Sequence, residues 1–217
     1  MILVLILLGA PGAGKGTQAK YLCAELELPH VSTGDLLREN RAQGTALGRE
    51  AEGFMNRGAL VPDQLVLDML FARVARPDCA RGFLLDGFPR TLAQARALDQ
   101  RLGAGDSLRA LNLEVPEGEL VSRLTGRLTC RSCGALYHRR FSPPKVAGKC
   151  DVCRGELYQR DDDQESVVQK RLSVYREQTL PLLAFYSERG RLGSVDGNRP
   201  PREVSTALLR AAQGEAA

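Results

Sequence analysis

Continuous apolar runs alternate along this chain with segments in which apolar residues recur every three or four positions. Residues 2–8 form an unbroken aliphatic run, which is typical of a strand buried on both faces of a parallel sheet. Helical spacing follows over 15–26, and the same succession repeats further along. It predicts further strands at 29–32, 83–86, 108–115 and 191–195. It predicts further helices at 34–57 (two, broken near Gly44), 63–74, 92–102, 117–124 and 204–212.

Strands that alternate with helices indicate an α/β fold built on a doubly wound parallel sheet. One segment, 126–163, interrupts the alternation, since it lacks a long helical period and contains four cysteines and the pair Pro143-Pro144. We interpret it as a small inserted module. After it, Asp163 is predicted to cap a long helix that starts near Gln164. The apolar positions of that helix are Val168, Leu172 and Tyr175.

Composition supports an ordinary globular protein. The 217 residues suit one α/β domain with an insertion, or two small domains. Apolar residues make up 43% and aromatic residues only 5%, so aliphatic side chains must fill the core. The net charge of +4 is modest. Five of the 30 basic residues are lysines, and we attribute most of the arginine excess to genome composition.

The apolar start of the chain resembles the core of a signal peptide, but it has no basic lead-in and no cleavage-like site. No other apolar run approaches the roughly 20 residues of a membrane span. We therefore expect a soluble cytoplasmic protein with no membrane partner. Two isolated cysteines, Cys23 and Cys79, lie in apolar contexts and are predicted to be core residues.

A glycine-rich loop at 9–17 (GAPGAGKGT) lies between the first predicted strand and the first predicted helix. Glycines let consecutive backbone N–H groups point toward an anion, and a helix N-terminus adds positive potential. Lys15 is placed to reach outer phosphates as a point charge. A tight turn that merely needs glycine does not account for so many matches. We predict a phosphate-binding loop.

The loop departs from the usual pattern at one position. A Ser or Thr normally follows the lysine and ligates Mg²⁺, whereas here Gly16 follows and Thr17 comes one residue later. Asp86, at the end of a buried predicted strand, is therefore the better candidate for holding Mg²⁺ through water.

Two further clusters follow predicted strands. Residues 86–90 (DGFPR) place a carboxylate and an arginine at the edge where such sheets bind ligands, although a strand end with a surface ion pair explains them equally well. Residues 32–38 (STGDLLR) end in Arg38. Taken alone, they are better explained by a helix N-cap at Thr33 or Asp35 with a solvated arginine.

Taken together, these strings resemble the adenylate kinase family. The resemblance covers roughly residues 3–205 and rests on several specific strings in the family's order. They are the loop 9–17 with Gln18, 32–38, 82–91 (GFLLDGFPRT), 158–163 (YQRDDD), 170–172 (KRL) and 195–197 (VDG).

The resemblance implies a fold of P-loop kinase type with an AMP-binding helical insertion (32–61) and a lid (126–163). The core would comprise 1–31, 62–125 and 164–217. It implies an ATP site formed by Gly12, Ala13, Gly14, Lys15, Gly16, Thr17, Arg123, Arg127, Leu136, Tyr137 and Arg199. It implies an AMP site formed by Thr33, Arg38, Ala59, Leu60, Val61, Gly87, Phe88, Pro89, Arg90, Gln94, Arg160 and Arg171. Two residues depart from the family's common pattern, because many relatives have Lys at Ala59 and at Asp161.

The implied activity is reversible, Mg²⁺-dependent transfer of a phosphoryl group from ATP to AMP, which gives two ADP. The nucleophile would be an AMP phosphate oxygen, whose pKa near 6 leaves it ionised at neutral pH, so no general base is needed. Neither histidine, His30 nor His138, lies in a recognisable catalytic string. Catalysis would then rest on alignment and positive charge. The expected catalytic residues are Lys15, Arg90, Arg127, Arg160 and Arg171.

Four cysteines form a metal-type pattern, Cys130-x₂-Cys133 and Cys150-x₂-Cys153, with 16 residues between the pairs. Four thiolates close a tetrahedron, so we predict a structural Zn²⁺, with iron as an alternative occupant in recombinant material. Two disulfides are disfavoured in a reducing cytoplasm. A module this small cannot bury enough apolar area alone, so the metal should supply its folding energy.

Other functions remain open from the sequence. A kinase acting on UMP, CMP or GMP is the nearest alternative, although Thr33, Gln94 and the cysteine-rich lid favour AMP. A zinc-ribbon nucleic-acid-binding ATPase is a second alternative, with the basic run at 138–140 (HRR) as its support. Three residues are too few for an extended basic face, so we expect no nucleic-acid partner. No feature requires an oligomeric interface, and we expect a monomer whose partners are ATP, AMP and ADP.

Overall fold

The computed structural model describes residues 2–214. Eight strands lie within that range, and we number them in chain order. They are β1 (Leu3–Gly9), β2 (His30–Ser32), β3 (Gly82–Asp86), β4 (Ser107–Glu114), β5 (Arg127–Cys130), β6 (Leu136–His138), β7 (Leu157–Tyr158) and β8 (Leu192–Asp196).

Five of these strands form one parallel sheet in the order β2-β3-β1-β4-β8. The central strand, β1, explains why the sheet is buried on both faces. Val4, Ile6 and Leu8 pack into one apolar cluster, and Leu5 and Leu7, pointing the opposite way, pack into another. The predicted parallel sheet is confirmed, with boundaries shifted by one or two residues.

Helices cover both faces of this sheet. They are α1 (Lys15–Leu26), α2 (Thr33–Ala42), α3 (Ala46–Asn56), α4 (Asp63–Val74), α5 (Leu92–Arg101), α6 (Glu117–Thr125), α7 (Glu165–Val174), α8 (Pro181–Ser187) and α9 (Pro201–Gln213). Helices α2, α3, α4, α5 and α8 contribute to the cluster around Ile6. Helices α1, α6, α7 and α9 contribute to the cluster around Leu5. The predicted break in 34–57 is confirmed, since α2 ends at Ala42 and α3 starts at Ala46.

The predicted long helix after residue 163 is more complex than its pattern suggested. Helix α7 ends at Val174, a π-helical turn occupies Tyr175–Thr179, and α8, which the sequence pattern did not predict, follows. The predicted cap was wrong. Gln164 occupies the N-cap position without a side-chain hydrogen bond, because the Asp163 carboxylate is buried between two arginines described below.

The inserted segment forms a separate antiparallel sheet in the order β6-β5-β7. Its strands have two to four residues, and its buried apolar cluster contains only Cys130, Cys150 and Leu157 among the described residues. Of the two isolated cysteines, Cys79 is buried in the main core as predicted, and Cys23 is half-buried at the edge of the second cluster. Across residues 2–214 no helix is both long and apolar enough to span a membrane.

Candidate active site

The glycine-rich loop connects the end of β1 to the start of α1, as predicted. Residue 14 has a φ angle of +96°, a backbone conformation that favours glycine. An added Cβ would meet no atom within 4 Å, so the backbone conformation, and not crowding, is the reason for glycine here. Lys15, the first residue of α1, turns back over the loop. Its Nζ donates to the carbonyl oxygens of Gly9 at 2.8 Å and Ala10 at 3.0 Å.

Burial lowers the pKa of Lys15 to about 8, an effect that the neighbouring Asp86 opposes and that the charges of Arg90, Arg171 and Arg127 reinforce. A lysine held among arginines at a helix N-terminus forms a concentrated positive site. Phosphate oxygens are the ligands that such a site favours.

The Asp86 carboxylate lies at the carboxyl end of β3, beside the loop. A Cβ added to Gly16 would lie 3.4 Å from Asp86 Oδ2, so the first turn of α1 runs close to the carboxylate. The same oxygen lies 3.3 Å from Nε2 of His30. His30 is on β2, which pairs with β3 so that Ser32 lies beside Asp86. No sequence pattern predicts this contact, because strand order cannot be deduced from the pattern of apolar residues. The exposed Thr17 lies in the first turn of α1.

A cavity open to solvent lies between the ends of β2 and β3 and the turn after α3, and we call it the helix-side cavity. Nine of the twelve residues predicted for the AMP site line it. They are Thr33, Arg38, Ala59, Leu60, Val61, Gly87, Arg90, Gln94 and Arg171. Of the other three, Phe88 is fully buried, Pro89 lines the neighbouring cavity, and Arg160 donates from Nε to Thr129 Oγ1 at 3.0 Å.

Hydrogen bonds fix the polar residues of this cavity. Thr33 donates to the Gly87 carbonyl oxygen at 2.8 Å, so its hydroxyl is not the helix cap. Ser32 caps α2 instead, by accepting from the Asp35 N–H, which corrects the predicted cap at Thr33 or Asp35. Gln94 is buried, accepts from the Arg90 N–H at 2.8 Å and donates to Asp63 at 2.7 Å.

A second cavity, also open to solvent, lies between the phosphate loop and the π-helical turn, and we call it the loop-side cavity. Its lining includes Gly9, Pro11, Lys15, Tyr175 and Thr179. The two cavities share five lining residues, and these mark where they meet. The shared residues are Gly58, Leu60, Gly87, Arg90 and Arg171.

A network of arginines and aspartates crosses from the inserted sheet to α7. Arg127, on β5, forms a two-pronged pair with the Asp163 carboxylate, whose side chain is 0% exposed. Arg171, on α7, donates to the same carboxylate at 3.1 Å and to the Asp162 carbonyl oxygen at 2.8 Å. The sequence analysis placed both aspartates in the string 158–163 and predicted Asp163 as a helix cap. Their role as the buried partners of two predicted catalytic arginines was missed.

Crowded positive charge perturbs this network. Burial and the charge of Arg171 lower the pKa of Arg90 to about 10, and burial and the charge of Arg38 lower the pKa of Arg160 to about 10. Burial also lowers the pKa of Arg171, against the effect of Asp162. These arginines stay charged at neutral pH while repelling one another, so a polyanion between them relieves that repulsion.

Asp161, one of the two departures from the family pattern, pairs with the helical insertion. Its carboxylate lies 3.5 Å from Nη1 of Arg41 on α2, and the same nitrogen donates to Asn56 at 3.4 Å. Asp161 is mostly exposed, so this pair contributes little to stability. Ala59, the other departure, lines the helix-side cavity.

Four sulfur atoms converge at the tip of the inserted sheet. The Sγ atoms of Cys130, Cys133, Cys150 and Cys153 all lie within 4.8 Å of one another, with pairs at 3.4 and 3.6 Å. A tetrahedral zinc site with bonds of about 2.3 Å places its sulfurs about 3.8 Å apart, which fits. Hydrogen bonding to the Tyr137 hydroxyl lowers the pKa of Cys150, whereas hydrogen bonds to Cys133 and Cys130 raise the pKa of Cys153, so the four thiols influence one another's protonation.

The remaining residues predicted for the ATP site lie on α6, on the inserted sheet and after β8. Arg123, on α6, donates to the Gly197 carbonyl oxygen at 3.3 Å and to Asn198 at 2.9 Å. Arg199 is exposed, with Nε 3.4 Å from Asp196. Leu136 and Tyr137 belong to β6, paired with β5. Among the described residues, none of these four lines either cavity.

Comparison with known proteins agrees with this geometry. A family model described as adenylate kinase matches residues 7–191. The adenylate kinase of Methanocella arvoryzae is 53% identical over 212 residues, covering 95% of this chain and 96% of that protein. Those of Thermodesulfovibrio yellowstonii and Moorella thermoacetica are 54% and 53% identical, covering 94% and 95% of this chain and 96% of each relative. The chain belongs to the adenylate kinase family of nucleoside monophosphate kinases.

Proposed function

We propose that this protein transfers the terminal phosphoryl group of ATP to AMP, reversibly, to give two ADP. The observation that carries the proposal is the junction of the two cavities at Arg90 and Arg171. One cavity contains most of the predicted AMP-contacting residues, and the other reaches the phosphate loop and Lys15. Two nucleotides bound in this way would present their phosphates to each other across the two arginines.

The chain's own groups would act by position and charge. An AMP phosphate oxygen is ionised at neutral pH and attacks without a general base. Lys15 and the phosphate loop, 12–17, would hold the donor phosphates. Arg38 and Arg90 would hold the acceptor phosphate, and Arg171, with Arg127 and Arg160, would neutralise charge on the group in transfer.

The site also suits a magnesium nucleotide. Asp86 presents a carboxylate oxygen beside the first turn of α1, and hard oxygen donors suit Mg²⁺. We propose that Asp86 holds the ion through water, as Thr17 is displaced by one residue from the usual ligand position. When bound with ATP, Mg²⁺ would supply charge neutralisation at the phosphates.

We propose that 126–163 is a lid pinned by Zn²⁺ at its four cysteines, that 32–61 is the AMP-binding unit, and that the rest is the core. Zinc bound by four thiolates leaves no open position, so it would supply folding energy to the lid and no chemistry. The lid would bring Arg127 to the phosphates and exclude water from them, while Arg123, Leu136, Tyr137 and Arg199 would contact the adenosine of ATP.

Phosphorus NMR of the protein with ATP, AMP and Mg²⁺ tests the proposal. We expect ADP resonances to appear, and the same equilibrium mixture to form from ADP alone. Parallel samples with UMP, CMP or GMP in place of AMP test the acceptor, and we expect much slower transfer. Release of inorganic phosphate without ADP exchange, or faster transfer to another monophosphate, would contradict the proposal.

A further inference from the structure

Two glycines end neighbouring helices in the same backbone motif. After α2, the Gly44 N–H donates to the Arg41 carbonyl oxygen and the Thr45 N–H to that of Asn40. After α3, in the same way, the Gly58 N–H donates to the Met55 carbonyl oxygen and the Ala59 N–H to that of Phe54. The φ angles are +63° and +69°, so helix termination requires glycine equally at both positions.

The surroundings of the two glycines differ. A Cβ added to Gly44 would meet no atom within 4 Å. A Cβ added to Gly58 would lie 3.0 Å from Arg171 Cγ, 3.0 Å from the Val167 carbonyl oxygen and 3.1 Å from Val167 Cγ1. The turn after α3 therefore packs directly against α7, so closely that a Cβ at Gly58 would force a neighbouring atom to move by a few tenths of an ångström.

The stem of Arg171 cannot move aside freely at this contact. Its guanidinium is bound at the far end to the Asp162 carbonyl oxygen and the Asp163 carboxylate, and the side chain is 19% exposed. A methyl group on Gly58 would push Cγ while these bonds hold the other end. Gly58 and Arg171 also line both cavities, at the point where the cavities meet.

We infer that Gly58 is a positioning residue for the transfer reaction. Because Gly58 has no side chain, the turn after α3 can pack closely against α7. This packing sets the position of the Arg171 guanidinium between the donor and acceptor nucleotides. This role rests on the function proposed above and goes beyond helix termination, which Gly44 performs without touching the site.

Gly58→Ala compared with Gly44→Ala tests the inference. Both changes place alanine in the same left-handed backbone, so both should lower the melting temperature. Turnover of ATP and AMP should fall by about tenfold or more in Gly58→Ala, because small misplacements of catalytic groups are costly. It should fall less than about twofold in Gly44→Ala. Equal losses in the two variants would overturn the inference.

A double-mutant cycle shows whether Gly58 acts through Arg171. Arg171→Ala removes Cγ and with it the contact, so adding Gly58→Ala should change its turnover by less than about twofold. If the turnover losses of the two single variants multiply in the double variant, Gly58 acts through some other residue, and the inference is overturned. If the wild-type protein forms no ADP, the proposed function fails. If it does and only the glycine comparison fails, the inference alone is wrong.

A folding defect is handled by a second variant. If Gly58→Ala does not fold, Gly58→Ala combined with Val167→Ala removes Cγ1 from the crowded position and keeps the Arg171 contact. If this double variant folds and its turnover matches that of Gly44→Ala, the inference is overturned. If it folds and its turnover is reduced about tenfold relative to the wild-type protein, the inference is supported. Failure of this variant to fold would show that the contact serves stability, which also overturns the inference.

Discussion

The parallel sheet and the inserted sheet are stabilised in different ways. In the parallel sheet, aliphatic residues of β1 are buried on both faces, and the Asp86 carboxylate comes at the carboxyl end of β3. In the inserted sheet the strands are short, few apolar residues are buried, and Phe141, Val146 and Val152 are exposed. Apolar burial can therefore stabilise the first region, whereas the second buries little apolar area, and we propose that a metal held by its four convergent thiols stabilises it.

The two regions are joined by a buried charge. Asp163 binds Arg127 from the inserted sheet and Arg171 from α7, so each region contributes an arginine to one carboxylate. The different stabilisation of the two regions predicts that a change at the transfer site can lower turnover without unfolding the protein. Damage to the inserted sheet should instead unfold that sheet first and lower turnover through the shared carboxylate.

The largest effect is expected in the parallel-sheet region. Arg90→Ala removes a half-buried guanidinium where the cavities meet, and kcat should fall by at least about a hundredfold because the acceptor phosphate loses an arginine that aligns and neutralises it. The melting temperature should change little. The exposed Arg81, changed to Ala, is the matched control and should retain nearly full kcat. A merely twofold loss in Arg90→Ala would remove Arg90 from the catalytic set.

A smaller loss is expected when the inserted sheet is damaged. Removing metal with a chelator should unfold residues 127–158 first and lower turnover about tenfold or more, because the lid would no longer order Arg127. Hydrogen exchange measures this directly. Amides of β5 and β6 should lose protection while those of β1 and β4 keep it. Unchanged exchange and melting after confirmed metal loss would show that the thiols do not hold the lid through a metal.

The smallest effect concerns pH at the phosphate loop. Because the pKa of Lys15 is lowered to about 8, its charge in the free protein is lost as pH rises through that value. ATP phosphates stabilise the protonated form, so binding should take up a proton near pH 8. Affinity for MgATP should then weaken, by a factor approaching ten, between pH 7 and pH 9.

Calorimetry in buffers of different ionisation enthalpy measures this proton uptake. Lys15→Met should bind weakly with no pH dependence over this range, whereas Lys20→Met, which changes an exposed residue of the same helix, should behave like the wild-type protein. Proton uptake that persists in Lys15→Met would assign the titration to another group.

Much of the site was predictable because its residues follow strands in the sequence. The phosphate loop, Asp86 and Arg90 each come directly after a continuous apolar run, and periodicity placed those runs correctly. The four cysteines were predictable from spacing alone. Sequence-distant contacts were not predictable, because they depend on strand order and on the path of the chain. Examples are the contact of His30 with Asp86 and the burial of Asp163.

Asp163 shows why a local rule failed. Its position before a helical pattern favours an N-cap, but two buried arginines compete for the same carboxylate and bind it more strongly than a helix N–H does. Helix α8 was missed for a different reason, since the π-helical turn shifts the spacing of apolar residues and hides the periodicity.

The π-helical turn at Tyr175–Thr179 also determines which side chains face the loop-side cavity. In an α-helix, residues eight apart point about 80° away from each other, because each residue advances about 100°. A π turn advances only about 82° per residue, so four such steps between Tyr175 and Thr179 bring the difference close to zero. Arg171 and Thr179 both line the loop-side cavity, and Thr179 donates to the Arg90 carbonyl oxygen at 2.9 Å. One wide turn of helix therefore compensates for the rotation that a regular α-helix would impose. It places the Arg171 guanidinium and the Thr179 hydroxyl on the same side of one continuous helical segment.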